Sequence, residues 1–90
     1  MAERRVRVQT KVGLHARPAA LFVQAATKAP YDVRIAKAGG EPVNAKSILS
    51  VLALDVRSGE EIVITAEGDG ADALLDQLES LASEVEPETA

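Results

Sequence analysis

Short stretches of this chain alternate apolar and polar residues, and stretches with helical spacing separate them, which restricts the folds that it can adopt. Residues 5–9, 31–37 and 61–67 alternate in this way and are predicted strands. Residues 41–43 are typical of a short return strand, and Pro42 favours an edge position for it. The inward-facing residues of the three longer strands are predicted to be Val6, Val8, Val33, Ile35, Ile62, Ile64 and Ala66.

Three other stretches space their apolar residues as one face of an α-helix does. The first runs between Pro18 and Pro30, because proline is tolerated in a first turn and otherwise ends a helix. The apolar run after Ser47 favours a short helix with Ser47 as its N-cap, although a buried strand also fits so brief a run. The last helix ends before Pro87, and residues 88–90 are expected to fray. The three apolar stripes are Leu21, Phe22, Ala25, Ala26 and Ala29; Ile48, Leu49, Val51, Leu52 and Leu54; and Leu74, Leu75, Leu78, Leu81, Ala82 and Val85.

The element order is therefore β-α-β-β-α-β-α. Alternating strands give a sheet with one buried face and one face open to water. The helices then cover a single side of that sheet, which predicts an α+β fold of the open-faced two-layer sandwich type. A chain of 90 residues has the size of one domain, so we expect one domain over residues 1–90.

Composition excludes several classes of site. The chain has one Phe, one Tyr and no Trp, so an aliphatic core is expected. It has no cysteine, which excludes disulfides and thiolate chemistry, and its single histidine argues against a zinc site. We expect no metal and no cofactor. No apolar run has the length of a membrane span and the N-terminus lacks a signal-peptide pattern, so a cytoplasmic protein without membrane insertion is expected.

Charge is distributed unevenly along the chain. Residues 1–46 carry nine Lys and Arg against three acids (9 − 3 = +6), and residues 47–90 carry one Arg against eleven acids (1 − 11 = −10). Such asymmetry can orient a molecule toward charged partners, although two solvated faces of different charge also account for it. A nucleic-acid-binding sheet is disfavoured because the predicted strands lack exposed aromatic residues for base stacking.

The chemistry-bearing residues cluster where a loop becomes the first helix. His15 is followed by Arg17 and Pro18, so an imidazole is predicted at a helix N-terminus. The backbone N–H groups of Ala16 and Arg17 lack helical partners there, and the helix dipole favours an anion. The same field favours a neutral ring with a bare nitrogen, and the Arg17 guanidinium can bind phosphate oxygens. These residues predict a phosphoryl group carried on His15, although a lone histidine in such a place is usually only a polar cap.

The motif formed by residues 13–19, Gly-Leu-His-Ala-Arg-Pro-Ala, resembles the active-site motif of the histidine-containing phosphocarrier (HPr) family of the bacterial sugar phosphotransferase system. Residues 43–49 resemble the regulatory-serine segment of that family, and residues 59–62 and the final helix also match. The resemblance implies a four-stranded antiparallel sheet covered on one face by three helices. It further implies that His15 accepts phosphate on Nδ1 from enzyme I, which phosphoenolpyruvate charges, and passes it to enzyme IIA domains of sugar transporters.

The same resemblance assigns the other site residues. It implies that Arg17 is the phosphate clamp, that Ser47 is a regulatory phosphosite, and that an apolar docking patch lies beside the histidine. The patch residues are Ile48, Leu49 and Leu52. The implied protein is a monomeric carrier rather than an enzyme with its own catalytic cycle. A kinase acting on Ser47 and a transcription regulator are further candidate partners.

Two alternatives accompany this interpretation. The chain could be a regulatory binding module that acts through Ser47, although the presence of His15 counts against it. Ile48 and Leu49 could belong to the core, but a helix this short cannot bury every face, so at least one is expected to be partly exposed. Ser50 and Asp55 stand where many family members have glycine, and Asp55 places an acid at the helix end where the dipole favours a cation.

Overall fold

The computed structural model describes residues 2–83. The elements follow the predicted order β-α-β-β-α-β-α. The strands are β1 (Ala2–Arg7), β2 (Val33–Lys37), β3 (Val43–Asn44) and β4 (Glu61–Ala66), and the helices are α1 (Ala16–Thr27), α2 (Ile48–Ala53) and α3 (Ala71–Ser83). The predictions for Val85, Pro87 and residues 88–90 lie outside the described residues. The expectation that residues 1–90 form one domain stays a prediction.

The four strands form one antiparallel sheet in the order β1-β4-β2-β3. β4 lies inside the sheet, and Ile62, Ile64 and Ala66 on its inner face are buried while Val63 and Thr65 alternate with them. Helices α1, α2 and α3 contribute Phe22, Val51, Leu75 and Leu78, among other residues, to one core cluster with the strand residues. The α+β open-faced sandwich with helices on one side is therefore confirmed.

The first strand lies earlier in the chain than the sequence predicted. The prediction was residues 5–9, whereas β1 ends at Arg7, and Val8 is buried just beyond it. Arg4 shares the inner face with Val6, and its guanidinium donates to Asp76 (2.8 Å) and Glu79 (2.6 Å) of α3. A charged residue that faces inward at the edge of a sheet breaks the apolar alternation, which is why the pattern hid the beginning of this strand.

Helix α1 also begins earlier than predicted, at Ala16 instead of Pro18. Phe22, Ala25, Ala26 and Ala29 are buried as expected. Leu21 was predicted to be part of the buried stripe, and this prediction is wrong because its side chain is 37% exposed. The helix turns a different face to the core, where Ala19 and Val23 are buried.

The short strand β3 begins two residues later and ends one residue later than the predicted residues 41–43, and it pairs with β2 through Val43 and Asn44. It is an edge strand, as Pro42 indicated. α2 is a helix rather than the alternative buried strand. Its N-cap is Ser47, whose Oγ accepts a hydrogen bond from the Ser50 amide (3.2 Å), so the predicted cap is confirmed.

Candidate functional site

The loop that leads into α1 is held in a tight turn. The buried hydroxyl of Thr10 donates to the carbonyl of Gly13 (2.7 Å), and the Gly13 amide donates to the carbonyl of Thr10 (3.0 Å). Gly13 has a φ of 69°, in the left-handed region that glycine adopts without strain. The turn delivers His15 to the N-terminal end of the helix.

A second loop, after α2, packs closely against the first. The Leu14 amide donates to the carbonyl of Val56 (2.9 Å). A Cβ atom on Gly13 would lie 2.2 Å from the Val56 carbonyl oxygen and 2.7 Å from the Arg57 Cα, so only glycine permits this approach. The two segments run antiparallel, and the next facing pair along them is His15 and Asp55.

His15 is the N-cap residue of α1, with extended backbone angles (φ −129°, ψ 167°) and no capping hydrogen bond from its side chain. Its Nε2 lies 3.0 Å from Oδ1 of Asp55, and 36% of its side chain is exposed. The other carboxylate oxygen of Asp55 accepts from the Arg57 guanidinium (3.2 Å). The Arg57 guanidinium, followed by the His15 ring, holds the pKa of Asp55 below its ordinary value, so this carboxylate is ionised at neutral pH.

The end of α1 next to His15 presents two backbone donors. Pro18 has no N–H, and the Ala19 amide donates to the His15 carbonyl at 3.4 Å, which leaves the amides of Ala16 and Arg17 as the donors without helical partners. The first turn contains no acidic residue. The helix dipole therefore favours an anion beside His15, as the sequence predicted.

The backbone at Ala16 is strained. Its φ is 51°, a left-handed conformation that costs an alanine about 1–2 kcal/mol. Such strain persists where surrounding contacts impose it, and it concentrates at functional sites. Here it coincides with the residue that follows His15 and carries one of the two available amides.

Arg17 lies in the first turn of α1 with an exposed side chain. Within residues 2–83 its guanidinium has no ion-pair partner, so it can turn toward an anion held at the helix end.

Within the same residues, no three potential ligands cluster as a metal site would require, and no helix has the length and apolarity needed to cross a membrane.

A sequence model of the protein family described as "PTS HPr component phosphorylation site" matches residues 2–84. The chain belongs to this family of HPr phosphocarriers of the phosphotransferase system. The family assignment agrees with the resemblance of residues 13–19 and covers almost the whole chain.

Three comparisons with individual HPr-family proteins extend the assignment. Phosphocarrier protein HPr of Streptomyces coelicolor is 55% identical over 84 residues, which are 93% of this chain and 90% of that protein. The crystal structure of HPr from Bacillus anthracis matches with a TM-score of 0.85 at 44% identity, covering 91% of this chain and 96% of that one. The catabolite repression protein Crh of Bacillus subtilis, described as a dimer with a swapping domain, matches with a TM-score of 0.71 at 40% identity, covering 98% and 100%.

The predicted HPr docking residues differ in exposure. Leu49 is 77% exposed and Ile48 is 39% exposed, so the expectation of partial exposure is confirmed for both. Leu52 is partly buried and packs against the core. Two further large apolar side chains, Val12 and Leu21, are exposed and were not part of the predicted patch. α1, which carries Leu21, packs against α2, which carries Ile48 and Leu49.

Asp55 is the site residue whose contact with His15 sequence reasoning missed. The sequence marked it only as an acid at the unfavourable end of α2. In the structure it follows the C-cap Leu54 with a φ of 53°, in the left-handed position that glycine commonly takes after a helix. Nothing local in the sequence indicates that His15 lies opposite Asp55.

Proposed function

We propose that His15 accepts a phosphoryl group on Nδ1 from phosphorylated enzyme I and passes it to enzyme IIA domains of sugar transporters. The observation that carries this proposal is the position of the ring at the end of α1. Its Nε2 faces Asp55, and two backbone amides beside it lack helical partners. Nδ1 is then the ring nitrogen left to react, since within residues 2–83 it has no hydrogen-bond partner. The chain acts as a carrier, and its partners supply the catalytic groups.

The transfer step is a nucleophilic substitution at phosphorus. The Nδ1 lone pair forms the new nitrogen–phosphorus bond while the bond from phosphorus to the donor breaks, and the donor keeps that electron pair. The amides of Ala16 and Arg17 and the α1 dipole stabilise the charge on the phosphoryl oxygens. Arg17 adds paired N–H donors for two of these oxygens, which is the clamp role that the sequence predicted.

The apolar side chains of α2 form the proposed docking patch for enzyme I and the IIA domains. Ile48 and Leu49 are its exposed members, Leu52 is partly buried against the core, and the exposed Leu21 of α1 is proposed to extend the patch. Burial of such side chains by a partner supplies affinity for the docked complex. We propose that residues 1–90 act as one monomeric domain in the cytoplasm, where phosphoenolpyruvate is available. Crh of Bacillus subtilis is described as a dimer, so the molecular mass of this chain in solution tests the proposed monomer.

The experiment uses catalytic amounts of enzyme I, an excess of phosphoenolpyruvate and the full chain. We expect one phosphoryl group per chain, labile in acid and stable in base, as phosphohistidine is. Addition of an enzyme IIA domain is expected to remove the group and regenerate the unmodified chain. Uptake without enzyme I, or a group that survives acid, would contradict the proposal.

We propose Ser47 as a second, regulatory phosphosite. A kinase would phosphorylate it, and a transcription regulator would bind the phosphorylated form. Its half-buried hydroxyl caps α2, and a phosphate there adds a charge of about −1.5 to −2 next to Ile48 and Leu49. The helix N-terminus tolerates this charge, but the docking patch becomes unfavourable for an acidic partner. We expect the Ser47-phosphorylated chain to accept phosphate from enzyme I more slowly than the unmodified chain. Equal rates for the two forms would remove the regulatory role.

A further inference from the structure

We propose that Asp55 is a positioning residue for the transfer: its carboxylate holds the His15 ring by Nε2, in the tautomer that presents a bare Nδ1. This inference rests on the proposed function of His15 and deepens it. The observations that carry it are the register of two loops, the backbone conformation of Asp55 and the sharing of its carboxylate between two partners.

The alignment of the loop before α1 with the loop after α2 places Asp55 next to the His15 ring. Gly13 contacts Arg57 and Val56, the Leu14 amide donates to the Val56 carbonyl, and His15 is the next residue to face Asp55. The two segments are fixed by backbone contacts that do not depend on the His15 or Asp55 side chains. The 3.0 Å contact between Nε2 and Oδ1 therefore reflects the fold rather than a chance meeting of two flexible side chains.

The backbone conformation of Asp55 is unusual for a residue other than glycine. A φ of 53° suits glycine best, and aspartate is among the few other residues that tolerate it. A glycine would relieve the backbone strain but would leave Nε2 without its acceptor. The chain therefore carries a side chain at a position where conformation alone favours none, and that side chain contacts the reacting ring.

The carboxylate is oriented by a third residue. Arg57 donates to Oδ2 while Oδ1 faces His15, so the two oxygens have separate partners. The Arg57 amide in turn donates to the Glu60 carboxylate (2.9 Å), which anchors this loop. Within residues 2–83, Asp55 is the charged residue that contacts the ring, and Arg57 contacts Asp55.

The contact has a defined chemical consequence. An ionised carboxylate only accepts hydrogen bonds, so it selects the neutral tautomer in which Nε2 carries the hydrogen and Nδ1 carries the lone pair. When Nδ1 bonds to phosphorus, the ring becomes positively charged and keeps its proton on Nε2, directly opposite the carboxylate. No proton leaves the ring in this step. Asp55 therefore stabilises the charge that develops on the ring both when phosphate arrives and when it leaves.

The test combines spectra of the unphosphorylated protein with transfer rates. His15 is the only histidine, so the ring ¹⁵N resonances need no assignment. In the wild-type chain with a neutral ring, we expect the Nδ1 and Nε2 resonances to be widely separated, as a single tautomer requires. In Asp55→Gly they are expected to move toward each other, because the ring then samples both tautomers.

The transfer rate from phosphorylated enzyme I is expected to fall by roughly three- to tenfold in Asp55→Gly, the range for an exposed charge-assisted hydrogen bond. In Asp55→Asn, asparagine tolerates the same backbone conformation and keeps a hydrogen-bond acceptor without the charge. Its transfer rate is therefore expected to lie between those of the wild type and Asp55→Gly. The stability of Asp55→Gly is expected to equal or exceed that of the wild type, whereas a purely structural role would lower stability and rate together. Asp69→Asn, which removes an exposed acid from another turn, is the charge control and is expected to leave both readouts unchanged.

The outcomes separate this inference from the proposed function. Unchanged ring resonances and an unchanged transfer rate in Asp55→Gly would overturn the role of Asp55 and leave the carrier function intact. A wild-type chain that takes up no phosphate would overturn the carrier function, while the spectra would still report whether Asp55 holds the ring.

Discussion

The His15→Ala variant is expected to take up no phosphate from phosphoenolpyruvate and enzyme I, while the wild-type chain takes up one group. Alanine has no lone pair that can attack phosphorus, and the chain offers no second imidazole to replace it. The amides of Ala16 and Arg17 remain in the variant, but they stabilise an anion without forming a bond to it. Uptake is measured by the mass of the intact protein after incubation and again after brief acid treatment.

The fold is expected to survive this substitution. The His15 side chain is partly exposed, forms no cap, and has Asp55 as its side-chain partner within residues 2–83. We expect the free energy of unfolding to change by no more than about 0.5 kcal/mol, as is usual for surface positions. Ser47→Ala is the matched control, since it removes a phosphorylatable side chain and is expected to take up phosphate fully. Phosphate in the folded His15→Ala variant would disprove the assignment of the carrier residue.

The Gly13→Ala variant is expected to show a large loss of stability. A left-handed alanine costs about 1–2 kcal/mol, and an overpacked contact adds about 1–3 kcal/mol, so the free energy of unfolding should fall by roughly 2–5 kcal/mol. The clash is with backbone atoms of Val56 and Arg57, which cannot rotate away. To relieve it, the two loops must separate, and the Leu14–Val56 hydrogen bond and the His15–Asp55 contact are lost with them. Denaturant unfolding measures the change.

The Gly39→Ala variant separates the cost of a left-handed alanine from the cost of the steric clash. Gly39 also has a positive φ, of 81°, but a Cβ atom there would meet nothing within 4 Å. This control is therefore expected to lose only the conformational part, about 1–2 kcal/mol. If Gly13→Ala were no less stable than Gly39→Ala, the close approach of the two loops would not be the feature that places His15 opposite Asp55.

The sequence predicted the architecture because its strands and helices differ in hydrophobic period. β4 was predicted almost to the residue, since Ile62, Ile64 and Ala66 alternate without interruption and all face the core. The predicted range of β1 was shifted because an inward-facing Arg4 pairs with acids of α3, a long-range contact that no local pattern contains. Leu21 was misplaced because apolar spacing marks a stripe but does not say which part of it the neighbouring elements cover.

The candidate site was predictable where its chemistry is local. His15, Arg17 and Pro18 are close in sequence, and helix-end physics applies to them directly. Asp55 lies forty residues away, and its contact with His15 depends on how two loops pack around Gly13. The strained φ of Ala16 was equally hidden, since alanine gives no sequence signal for a left-handed backbone. Both features arise from tertiary contacts that impose a geometry on residues with no local preference for it.

The most direct test of the central claim is to identify the atom that carries the phosphate. The ¹⁵N-labelled chain is phosphorylated with enzyme I and phosphoenolpyruvate, and spectra of its single histidine ring are recorded before the group is lost. We expect coupling between phosphorus and Nδ1, with Nε2 still bearing its hydrogen opposite Asp55. Coupling to Nε2, or a phosphate on any residue other than His15, would contradict the account.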